Sequence, residues 1–250
     1  MSSAPFTSGS YRRRIRLVAL SPTAVHAALE DDFHHFEVTL HHDGGRVRDV
    51  DARSVRWPWT TCPSAAGPLR ELAGMELSTR CLAVGGHADP RANCTHMFDL
   101  AGLAVAHAAR GIERRQYDAE VPLGTEGGAR TVRLWRDGEP LLEWTIEGGR
   151  VEAPAPFDEA PWRGGFFRWA EATFPDVDDS EAAIVLRRSC EIGGGRGMDL
   201  DAFERASELD ELMSGVCYTM QRGIAEHGLR NRGAVRDFDA DPDALLSERA

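Results

Sequence analysis

An α+β fold is predicted by three features of this 250-residue sequence. Several segments alternate apolar and polar residues with the period of a strand. One long apolar stretch ends at a glycine, as a buried helix does. Beyond a proline-rich joint the strand patterns stop and helical ones begin. The expected architecture is a set of antiparallel strands around a buried central helix, followed by a helical C-terminal part.

Taken in order, residues 1–10 are rich in Ser, Pro and Gly and are expected to be disordered. Arg12–Leu20 alternates Ile15, Leu17 and Ala19 with polar positions and reads as a strand. Phe33–His42 is a clearer one, with Phe36, Val38 and Leu40 on one face. Asp43-Gly44-Gly45 turns it into Arg46–Val55, which makes a hairpin. Pro58, which cannot donate to a ladder, ends the pairing. Ser64–Gly74 reads as a short helix, and Asn93–Arg110 as the buried one, stopped by Gly111. Gln116–Leu123, Arg130–Arg136 and Leu141–Glu147 form a second antiparallel set. After Ala153–Pro161 come helical patterns at Trp162–Thr173, Ser180–Ser189 and Leu200–Met213. The expected organisation is one α+β domain over 11–250, strand-rich over 11–152 and helix-rich over 153–250.

All 29 basic side chains are arginine, so lysine chemistry is excluded: no Schiff base, no P-loop lysine, no kinase-type strand lysine. A net charge of −11 disfavours nucleic acid and anionic membranes as partners. No stretch approaches the ~20 apolar residues of a membrane span. Five widely spaced cysteines suit reduced thiols in the cytoplasm better than a disulfide framework. Gly193-Gly194-Gly195-Arg196-Gly197 lacks the strand–loop–helix frame of a phosphate cradle and reads as a flexible surface loop. No nucleotide cofactor is therefore expected.

Three clusters carry candidate chemistry. Cys94, His96 and Asp99 open the buried helix. There the amide dipoles favour a thiolate, and a carboxylate three residues on can orient an imidazole. In Asp31-Asp32-Phe33-His34-His35, strand parity puts Asp32 and His34 on the face of Phe36 and points His35 the other way. A one-residue bulge would exchange the two histidines. Arg56, Trp57, Trp59, Thr61 and Cys62 offer a wall for an aromatic or acidic ligand. Cys62, Cys94, His96 and His34 are candidate ligands for a mixed N/S metal site, although no Cys-x-x-Cys knuckle is present.

The elements Arg56-x-Pro-x-Thr-Thr-Cys62, Cys94-Thr-His96-x-x-Asp99-Leu100, Glu181-Ala-Ala-x-x-Leu-Arg-Arg188 and Gly215-x-Cys217-Tyr218 resemble a bacterial family of unknown function, over nearly the whole chain. That resemblance implies a single domain and adds weight to Asp32, His34 or His35, Cys62, Cys94, His96 and Asp99 acting as one site. It implies no reaction. The residues themselves point to a cytoplasmic small-molecule enzyme of lyase, hydratase, isomerase or hydrolase type. His96, Asp99, Cys94, Asp32 and His34 or His35 would be catalytic, and Arg56, Trp57, Trp59, Thr61 and Cys62 would bind a small apolar or aromatic substrate. The cofactor is none or one transition metal, and an oligomer is left open. The alternative is a non-catalytic small-ligand binding or regulatory protein.

Overall fold

The computed structural model describes residues 5–124, 128–162 and 164–247. It is an α+β chain whose eight strands precede most of its helix. Strands are β1 (Ser10–Ser21), β2 (Ala24–Asp31), β3 (His35–His42) and β4 (Val47–Arg56), then helix α1 (Thr95–Arg110). After it come β5 (Arg114–Pro122), β6 (Arg130–Arg136), β7 (Glu139–Glu147), β8 (Arg150–Glu152), and helices α2 (Phe166–Thr173), α3 (Val177–Gly193) and α4 (Asp210–Met213). The chain divides into two compact units, residues 15–115 with 199–236, and residues 5–14 with 116–198 and 237–247. Among the described residues, no helix is long and apolar enough to cross a membrane.

In the first unit the strands lie in the order β4-β3-β2-β1. Antiparallel pairing sets Val25 opposite Leu40, Ala27 opposite Val38 and Leu29 opposite Phe36. All six are buried, so one face of this hairpin is a continuous apolar surface. Helix α1 packs on it with Met97, Leu100, Ala101, Ala104 and Val105, none of them exposed. The other side of α1 is covered by a 3-10 segment, Cys81–Gly86, which approaches so closely that a Cβ on Gly102 would lie 2.2 Å from the Cys81 carbonyl oxygen. That double cover explains a helix apolar on nearly every face. Gly111, with φ 64°, ends it in the left-handed conformation expected of a C-terminal cap.

Three details differ from expectation. Ala24–Asp31 is a strand although Ala27-Ala28-Leu29 breaks the alternation. Ser64–Gly74 is not one helix but two 3-10 segments, Cys62–Ala66 and Pro68–Leu72, because Pro68 has no N–H to continue a ladder. Leu200–Met213 is likewise broken into Leu200–Ala202, Ala206–Leu209 and α4. Arg205, between the first two, bridges to Leu229 instead.

In the second unit the strand order is β1-β5-β6-β7-β8, with antiparallel pairing defined from β5 to β8. Helix α3, capped by the Asp176 carboxylate on the Asp178 amide, packs on β6 and β7. Trp144, Phe157, Trp162, Phe166, Trp169 and Phe174 form one aromatic cluster. The glycine run is packed rather than free. Gly193 is buried against Tyr11 and Val121, and Arg196 lies 3.9 Å over Phe6 while binding Asp237. Of the first ten residues, 1–4 lie outside the described ones, and Ser10 already belongs to β1.

Candidate functional site

The site is built where β2 turns into β3 and where α1 begins. Strand β2 ends at Asp31 and β3 starts at His35, so Asp32, Phe33 and His34 belong to the turn and not to a strand. The Asp31 amide donates to the His34 carbonyl at 2.9 Å. Asp31 Oδ1 accepts from the amides of Phe33 and His34, both at 2.8 Å, which is an Asx-turn. The same oxygen lies 3.0 Å from His34 Nδ1. A carboxylate only accepts, so Nδ1 carries the proton and the Nε2 lone pair is left as the acceptor. The Asp31 side chain is fully buried and that of His34 is 13% exposed.

His96 occupies the first turn of α1, and its ring centroid is 3.9 Å from that of His34 with the planes 33° apart. Phe36 packs against both imidazoles, at 5.6 and 5.7 Å. The ligand-capable atoms of Asp31, His34 and His96 all lie within 4.8 Å of one another, the one such group among the described residues. A transition metal needs nitrogen lone pairs converging at about 2.0–2.1 Å. The two imidazole rings are tilted by 33° to each other, and Asp31 Oδ1 already serves three donors. The arrangement has the groups for proton transfer, and the same three side chains are close enough together to be candidate metal ligands.

The remaining candidates fall around this centre. Strand parity favoured Asp32, but the turn removes parity, and the carboxylate on His34 is that of Asp31. Asp32 is buried, and its carbonyl accepts from the Arg236 amide at 2.7 Å. His35 turns away between Glu30 and Glu37, 3.6 and 3.5 Å off. Burial pushes its imidazole below the ordinary value, against the raising effect of those carboxylates. Asp99 is half-buried on α1, three residues beyond His96. Cys94 is the N-cap of α1, and burial, then the neighbouring Cys62 and Cys217 thiols, push its pKa far up, against the pull of the helix start. Burial also raises Cys62, to about 11, although Thr219 Oγ1 donates to its sulfur at 3.5 Å.

Thr61 Oγ1 donates to Thr219 Oγ1 at 3.2 Å, and the Tyr218 amide donates to the Asn93 carbonyl at 2.9 Å, so segment 217–219 closes over the start of α1. Trp59 is buried beneath the Arg230 guanidinium, 5.7 Å from its centre, and the Trp57 carbonyl accepts from Asn231 Nδ2 at 3.0 Å. Arg56 bonds main-chain carbonyls of the turn. Asp31, Thr219, Asp201 and Arg230 were not singled out in the sequence as parts of this region. Only Asp31, three residues before His34 in the stretch already marked as candidate chemistry, carried a signal that could have found it.

Residues 18–110 match the model of a family described as "Protein of unknown function (DUF2889)". The match spans that segment rather than nearly the whole chain, and it contains Asp31, His34, Arg56, Cys62, Cys94 and His96. No curated protein matches significantly.

Proposed function

We propose that this chain is a small-molecule enzyme that moves protons through His34, oriented by Asp31 and backed by His96. The observation that carries the reading is the 3.0 Å contact of His34 Nδ1 with buried Asp31, which presents Nε2 as the base. In the forward step Nε2 takes a proton from the substrate or from a water beside it. The resulting imidazolium faces the Asp31 carboxylate, and the proton returns to the product or the leaving group. A lyase, hydratase, isomerase or hydrolase all use such a step.

The surroundings support a small, uncharged, apolar or aromatic substrate. Phe33 and Phe36 flank His34, and the nearby thiols of Cys62 and Cys94 are kept neutral by burial. The chain's net charge of −11 supports a small molecule rather than a polyanion as partner, in a reducing cytoplasm that keeps five thiols free.

The test is incubation of the purified protein with panels of small apolar and aromatic alcohols, enones, esters and carbonyl compounds, with products read by mass spectrometry. His34→Gln is the control and should lose about 10²–10⁴-fold of any turnover found. Saturable binding without product, unchanged in His34→Gln, would replace this reading with that of a ligand-binding protein.

A further inference from the structure

We infer that Arg56 is the positioning residue of the His34 site, acting on the turn's backbone and not on a substrate. The inference rests on the reading of His34 as the working group.

Arg56 closes β4, and its guanidinium lies under the β2–β3 turn. One terminal nitrogen donates to the carbonyls of Asp32, at 3.1 Å, and Ala234, at 2.8 Å. The other donates to the carbonyls of Asp31 and His34, the latter at 3.0 Å, and to Glu30 Oε1 at 3.2 Å. The four terminal N–H groups thus face these five acceptors, and none of the four is left for a ligand. The side chain is 11% exposed and that of Glu30 13%, so the pair is shielded from solvent.

Three of the five acceptors are carbonyls of the Asp31–His34 turn itself. Within the turn itself run the two Asx bonds and one backbone bond, and the turn's conformation decides where the His34 ring stands. The Arg56 fork fixes those carbonyls from below, while Asp31 fixes the ring from within. The fourth carbonyl, of Ala234, fastens segment 231–236, whose Arg236 amide reaches the Asp32 carbonyl. A lysine has three donors on one tetrahedral nitrogen and cannot reproduce a planar fork over five acceptors.

The test uses the full chain labelled with ¹⁵N-histidine, with His34 assigned by loss of its signal in His34→Gln. Long-range ¹H–¹⁵N spectra read the tautomer. Wild type is expected to hold His34 almost wholly in the Nδ1–H form that donates to Asp31. In folded Arg56→Lys that fraction should fall to a minority, because a free imidazole prefers Nε2–H. If Arg56→Lys does not fold, Glu30→Gln removes the ionic anchor, together with a charge beside His35, and should shift the His34 tautomer in the same direction. With a substrate in hand, Arg56→Lys should lower kcat at least tenfold with KM within about twofold. A raised KM with unchanged kcat would instead make Arg56 a substrate-binding residue. A wild-type tautomer in both folded variants overturns the inference. The spectra report position whatever the reaction: a shifted tautomer with undiminished turnover in His34→Gln would sustain Arg56's role and sink the proton-transfer reading.

Discussion

The imidazole centroids of His34 and His96 lie 3.9 Å apart with the rings tilted by 33°, although 61 residues separate them and they sit on a turn and a helix. The ring contact gives His96 a packing role beside His34, whose Nδ1 is the nitrogen that meets Asp31. His96→Phe keeps that surface against Phe36. If packing is its role, the variant is expected to fold and to retain turnover within about tenfold. A loss as deep as that of His34→Gln would make His96 an equal partner in the proton transfer.

Gly102 sits where α1 touches the Cys81 main chain, and the contact leaves no room for a methyl group. Alanine favours a helix by about 1 kcal/mol over glycine. The clash is with backbone and cannot be relieved by rotating a side chain, so overpacking of about 1–3 kcal/mol should win. Gly102→Ala is therefore predicted to be net destabilised in urea unfolding, against the propensity scale.

Asp201 and Arg230 form an ion pair at 2.8 Å with side chains 0% and 1% exposed. Arg230 also donates to the Pro58 carbonyl and covers Trp59, so this pair secures the Trp57–Trp59 loop. Asp201→Asn leaves a buried guanidinium without its counter-charge and should cost about 3–5 kcal/mol. Replacing both residues together by apolar ones of similar volume should cost much less. Thermal melts of the single and double variants decide it.

The buried thiols make the chain resistant to thiol reagents and sensitive to alkali. Burial puts Cys62 at about 11 and Cys190 at about 12, and raises Cys94 and Cys217. Below about pH 8.5 thiols are neutral in both folded and unfolded chains. Above it the unfolded chain ionises first, so stability is intact at neutral pH and falls as pH rises from about 9 toward 11. Native protein at pH 7.5 should react slowly with a chromogenic disulfide at its four buried thiols and faster at half-buried Cys217, whereas the denatured chain should release all five equivalents at once. A fast native equivalent assigned to Cys94 would restore it as an activated thiol.

The parts of this chain that could be read in advance are those where one physical signal dominates. Asn93–Arg110 was legible because its apolar run stops at a glycine that adopts the left-handed conformation. The β3–β4 hairpin was legible because alternation and Asp43-Gly44-Gly45 agree. Strand β2 was hidden because alanine fits a tightly covered sheet without announcing a period. The site shows the same limit at closer range. His34 and His96 stood out by chemistry, but the choice between Asp31 and Asp32 depended on a turn, which strand parity cannot describe. Arg56 looked like a ligand hook because nothing in the sequence reveals that the carbonyls it needs are its own chain's. The Asp201–Arg230 pair links two irregular segments, where no periodicity operates.

The most direct test of the account is the rate of Asp31→Asn on the first substrate the protein is found to turn over. Asparagine keeps a carbonyl oxygen for the Phe33 and His34 amides, so the turn and the melting temperature should survive. Its oxygen can still accept from Nδ1–H, but it no longer provides the charge that faces the imidazolium. A fall in kcat of at least about 10²-fold in a folded protein is predicted. An Asp31→Asn variant that is folded and turns over at the wild-type rate would contradict the claim that Asp31 and His34 carry the chemistry.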